Sequence, residues 1–152
     1  MEFTTLGKTG LNVSRLGAGL GQLGGLPADD VETAGRILGA ALDGGVNFFD
    51  TGECYGNSEE LIGRFISHRR SEYYLATKCG CMVRDTPPPP GQRFPHIFTR
   101  ENVVAGVTQS LVRMKTDHLD LVQIHSCDLS VLERGAAGGE GCRQDAARRL
   151  QR

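Results

Sequence analysis

The sequence predicts an α/β protein built on a parallel sheet. Three observations carry that expectation. Short apolar runs alternate with segments whose apolar residues recur at helical spacing. The runs are apolar on both faces, as strands covered by helices must be. Each run breaks into small or polar residues at its end, and repeated strand–helix units joined by right-handed crossovers place successive strands side by side. Two closures remain open at this level: an open doubly wound sheet and a (β/α)8 barrel.

The elements follow in order. Residues 2–16, EFTTLGKTGLNVSRL, read as two short extended pieces around Lys8-Thr9-Gly10, a hairpin signal. Arg15–Leu20 reads as a buried strand that ends in the glycine-rich GLGQLGG. A helix over Asp29–Leu42 is predicted to start at Asp29, with Glu32 completing a capping box. Its apolar face is Val31, Ala34, Ile37, Leu38 and Ala41, and Gly44-Gly45 stops it. Val46–Asp50 is the second strand. Asn57 or Ser58 caps a second helix that runs to about Ile66, with Glu60 in a capping-box position and Leu61, Ile62, Phe65 and Ile66 facing the core. Tyr73–Thr77 is the third strand. The loop from Gly80 to Phe98 contains Pro87 to Pro90 in succession, which excludes helix and central strand. Thr99 caps a third helix whose face is Val103, Val104, Val107, Leu111 and Met114, and Leu119–Ile124 is the fourth strand. The parallel part and its hairpin therefore form one unit, 1–128. Residues 129–152 are poor in large apolar side chains and are expected to be a poorly ordered tail.

Chemistry concentrates at the strand ends. Asp50 and Tyr55 lie in FFDTGECYG, Lys78 in YYLATKCG and His125 in DLVQIHSCD. The carboxyl ends of parallel strands meet on one face, so the four side chains can converge. An ammonium beside a phenol favours the phenolate and lowers its pKa, which suits proton donation to a carbonyl. His68, His96 and His118 have no such setting and read as surface residues. His68-Arg69-Arg70 reads as a solvated helix end.

Composition narrows the class. The chain has 152 residues, a formal net charge of −1 and 39% hydrophobic residues. This is one globular domain's worth of sequence, with no electrostatic signature of a nucleic-acid or membrane partner. No apolar run is long enough to span a bilayer, and the N-terminus lacks a secretion signal, so the expected location is cytoplasmic. The five cysteines lack disulfide-scaffold spacing. Cys54, Cys79, Cys81 and Cys127 all fall just past strand ends, where thiolates and His125 would suit zinc. With no CxxC pair, the expectation is no metal and a redox-sensitive thiol instead.

The segments LGKTGLNVSRLGAGL, ALDGGVNFFDT, YGNSEELIGR, ATKCG and DLVQIHSCD, in this order, resemble the N-terminal half of an aldo-keto reductase, from about Phe3 to His125. The resemblance implies a (β/α)8 barrel plugged by the hairpin, of which about four βα units are here, so the chain reads as truncated. It implies NADPH-dependent reduction of aldehydes or ketones. Tyr55 is then the general acid, Lys78 its activating cation, Asp50 the partner of Lys78, and His125 the group that orients the carbonyl. Asp50 and Gly19 are expected to touch the cofactor, while most of its grip lies in later strands. GAGLGQLGG is glycine-rich but lacks the acidic partner downstream that a Rossmann site requires. The expected partner is a small carbonyl compound. An alternative is a silent half-barrel that acts by self-association, or by pairing with a full-length relative through open sheet edges.

Overall fold

A computed structural model describes residues 1–27, 30–83 and 95–126. Strands β1 (Phe3–Thr5) and β2 (Asn12–Ser14) pair antiparallel, with Phe3 opposite Ser14. Thr9 fixes the turn between them: its hydroxyl donates to Leu6 O at 2.6 Å and accepts from Leu11 N at 3.2 Å. The hairpin expectation holds.

Four further strands follow: β3 (Ala18–Gly19), β4 (Phe48–Asp50), β5 (Tyr74–Cys79) and β6 (Leu121–Ile124). They form one parallel sheet in the order β3-β4-β5-β6. Strictly sequential order has no switch point, which argues against a doubly wound sheet. Helices α1 (Val31–Asp43), α2 (Ser58–Phe65) and α3 (Arg100–Met114) connect the strands. α1 packs on α2 and α2 on α3, so all three cover one side of the sheet. The fold is therefore α/β, an arc of a (β/α)8 barrel behind a hairpin.

Strand parity decides which side chains meet the helices. Phe49 and Leu75 are fully buried in a core with Leu38, Ile62, Ile66 and Met114. Asp50 and Lys78 fall on the opposite face, the inside of the arc. The helix layer also has a polar seam, in which Glu59 accepts from Thr77 Oγ1 and from Arg113 Nε, both at 2.7 Å.

Several expectations need correction. The strand predicted over Arg15–Leu20 is only Ala18–Gly19, because Ser14 Oγ donates to Leu16 O and turns the chain, leaving Leu16 exposed. Glu32 pairs with Arg64 at 2.7 Å. Asp29, its expected partner, lies outside the described residues. Asn57 precedes α2 without a side-chain cap, whereas Thr99 caps α3 as predicted, accepting from Asn102 N at 3.3 Å. Ile37 (47% exposed) and Val104 (52%) do not face the core. Arg70 is not solvated: its side chain is 12% exposed and bonds Tyr73 O and Asp120 Oδ2. The four-proline run and the tail, 129–152, lie outside the described residues.

Candidate active site

The inner face of the arc brings the four predicted residues together at the carboxyl ends of β4, β5 and β6. Lys78 is fixed by two acceptors. Its Nζ donates to Asp50 Oδ1 at 2.5 Å and to Thr51 O at 3.0 Å. Register explains the pair: Asp50 sits opposite Ala76 on β5, so Lys78, two residues on, shares its face. Tyr55 is carried by the turn after β4, where its N–H donates to Gly52 O at 2.9 Å. The Lys78 ammonium stands 5.5 Å from the Tyr55 ring centre. His125 follows β6 directly, and its N–H donates to Cys79 O at 2.9 Å. Its ring meets Tyr55 edge to face at 5.8 Å.

The turn that carries Tyr55 leans on Gly24. A methyl group there would lie 1.6 Å from Tyr55 O, so only glycine permits this approach. Gly24 O in turn accepts from Asn57 N at 3.3 Å. The glycine-rich segment thus serves as backbone packing for the Tyr55 loop.

The electrostatics depart from expectation at Tyr55. Burial pushes its phenol above the ordinary 10.0, and Asp50, Cys54 and Cys81 push the same way. Lys78 does not lower it, since its charge is spent on Asp50 and it lies over the ring. The phenol therefore keeps its proton at neutral pH, and its hydroxyl has no hydrogen-bond partner among the described residues. Burial first, then His96 and Lys78, hold His125 below 6.5, so its imidazole is neutral at pH 7.

Two thiols complete the surroundings of His125. Cys54 Sγ lies 3.2 Å and Cys81 Sγ 3.4 Å from its Nδ1. Cys81 shares its proton with Cys54, which holds the Cys54 thiol down and drives that of Cys81 up. Cys79 does not join them: it is buried on its own, and Cys127 lies outside the described residues. His96 is exposed as expected, yet it belongs to the site. It bridges to Cys81, stands 5.2 Å from the His125 ring and stacks on Phe98. Sequence reasoning missed it because His96 arrives on an irregular loop, which carries no periodic signal.

Gly19 and Asp50 are register partners on β3 and β4. A Cβ at Gly19 would meet nothing within 4 Å, so the face is open there. This neighbourhood suits a flat ring laid against Asp50 and Tyr55.

Residues 15–137 match the aldo/keto reductase family model. The chain belongs to the aldo/keto reductase family. It is 36% identical over 131 residues to the aldo-keto reductase YhdN of Bacillus subtilis, covering 82% of this chain and 38% of that protein. A putative aldo-keto reductase from Pseudomonas aeruginosa superposes with a TM-score of 0.74 at 36% identity, over 86% of this chain and 50% of its own. The holo form of an aldo-keto reductase from Bacillus halodurans gives 0.71 at 30% identity, over 82% and 40%. The chain thus spans half or less of the length of these aldo-keto reductases. Among the described residues, no helix is long and apolar enough to cross a membrane.

Proposed function

We propose that this aldo-keto reductase chain supplies the acid–base centre for reducing an aldehyde or ketone to an alcohol with a nicotinamide cofactor, NADPH by preference. The carrying observation is an unpartnered Tyr55 hydroxyl flanked by the Lys78–Asp50 pair and the His125 ring. When bound, the reduced nicotinamide supplies hydride to the carbonyl carbon. Gly19 and Asp50 would hold its ring end. Tyr55 Oη delivers its proton to the carbonyl oxygen as negative charge develops there. Asp50 and Thr51 O anchor Lys78 beside the phenol ring, which fixes the geometry of the pocket around Tyr55. The neutral His125 donates a hydrogen bond that orients the carbonyl. The raised pKa of free Tyr55 keeps the proton available before substrate arrives.

The test is aldehyde-dependent NADPH oxidation. Tyr55→Phe should lower turnover by about 10²–10⁴-fold, the usual worth of a positioned general acid. Unchanged turnover in that variant overturns the assignment.

A second reading has its own observation. Among the described residues β6 pairs only with β5, and Ile124 on it is 51% exposed. Such an edge suits association with another chain. Under this reading the chain binds no NADPH and acts, if at all, as a pairing module. NADPH fluorescence separates the two: quenching or enhancement at micromolar cofactor supports the reductase, and no change at millimolar supports the module.

A further inference from the structure

We propose that Cys54, Cys81 and His125 form a binding site for one thiophilic divalent cation, of which zinc is the type. Their ligand atoms all lie within 4.8 Å of one another, at the ends of three adjacent strands. Tetrahedral zinc, with Zn–S near ~2.3 Å and Zn–N near ~2.0 Å, sets sulfur and nitrogen ligands about 3.5 Å apart. The two sulfurs stand 3.2 and 3.4 Å from Nδ1. Little movement is needed to admit the ion.

Both sulfurs converge on the single lone-pair site of the His125 Nδ1. A cation at the shared vertex satisfies all three groups at once. The supports are built accordingly. Asn102 from α3 donates to Cys81 O at 2.8 Å and to Ile97 O at 2.9 Å, clamping the Cys81 segment to the loop that carries His96. His125 is pinned through its N–H to Cys79 O at 2.9 Å. Cys54 remains partly exposed, which gives the ion an entry path. Two thiolates and an imidazole select zinc-like ions over magnesium or calcium, which demand oxygen ligands. Three protein ligands leave a fourth position for water or a small anion, the arrangement of an open zinc site. On binding, the Cys54 and Cys81 thiols give up their protons to solvent and no redox step occurs. The proposal stands apart from the reductase reading, because the ligands are in place whatever the reaction.

The sequence argued against a metal because no CxxC pair occurs. That rule describes ligands supplied by one local turn. Here the ligands lie on three separate strand ends, and only the sheet brings them together.

The test uses the full chain, reduced with a phosphine and stripped by chelator. Cobalt(II) serves as the probe. One equivalent should produce a thiolate-to-cobalt charge-transfer band, which zinc then abolishes. Cys54→Ser and Cys81→Ser should each weaken zinc binding about tenfold or more, while Cys79→Ser should keep the band. If a serine variant does not fold, the unaltered chain still decides. Zinc should slow alkylation of Cys54 and Cys81 at least tenfold, read by peptide mass spectrometry. Absence of the band, or protection by zinc confined to Cys127 and Cys142, overturns the proposal. Neither readout needs turnover, so failure here and failure of the reductase reading are distinguishable.

Discussion

Lys78 shows how a single residue can be legible in kind and misjudged in effect. Its position after a strand run, in line with Asp50, pointed to an ion pair, and the pair exists. What could not be seen was that full pairing with Asp50 leaves no lowering of Tyr55. Lys78→Met removes the charge and keeps the stem, stranding Asp50 without its cation. The expected cost is roughly 1–3 kcal/mol, the range for a lost charge-assisted bond, read as a lower urea midpoint. Tyr73 supplies a pH prediction away from the site. Burial raises its phenol above 10.0, with Asp120 adding and Arg70 opposing. Because the folded pKa lies above the unfolded one, the protonated phenol contributes stability below pH 10 that is lost as pH rises through the folded value. Tyr73→Phe should therefore flatten the alkaline loss of stability above pH 10, monitored by circular dichroism in urea. An equally steep loss in the variant would assign it elsewhere.

Elements were recognised by their periodicity, and their packing was not. The helix pattern found α1, α2 and α3, yet Ile37 and Val104 point outward. A 3.6-residue period marks a stripe wide enough to include residues that the sheet does not reach. The joints between elements carried even less signal. Arg70 ties the end of the α2 segment to β5 and β6 through Tyr73 O at 2.6 Å, His118 O at 3.3 Å and Asp120 Oδ2 at 2.5 Å. Asp120 also accepts from Leu75 N at 2.8 Å. Breaking a largely buried pair by removing one partner costs about 3–5 kcal/mol, so Arg70→Met should leave the chain only marginally folded in a thermal melt. Gly80 makes the matching case for backbone. Its φ of +101° suits glycine, and a methyl there would sit 2.3 Å from Phe98 Cε1. Gly80→Ala combines strain with a clash and should cost about 2 kcal/mol or more. It should also displace the Phe98–His96 stack, seen as shifted ring signals of His96 by NMR.

At the scale of the molecule, the arc has two edge strands among the described residues, β3 and β6. Val112 on α3 is 72% exposed and Ile124 on β6 is 51% exposed. An exposed apolar side chain on an unpaired edge strand, as Ile124 is, favours association. Sedimentation velocity should show the chain shifting to larger species as concentration rises. Ile124→Lys should move that shift to at least about tenfold higher concentration, since a charge on an edge strand opposes pairing. A monomer at every concentration would remove the association reading and leave the reductase reading untouched.

The βα alternation, the hairpin, the family and the four polar strand ends were legible in the chain, because each depends on local period, local turn chemistry or a fixed order of short segments. Their surroundings were not. The convergence of Cys54, Cys81 and His96 on His125, the raised phenol of Tyr55 and the burial of Arg70 all arise between groups far apart in the chain. Distance along the backbone carries no measure of distance across a sheet; strand register does, and register exists only once the strands have paired.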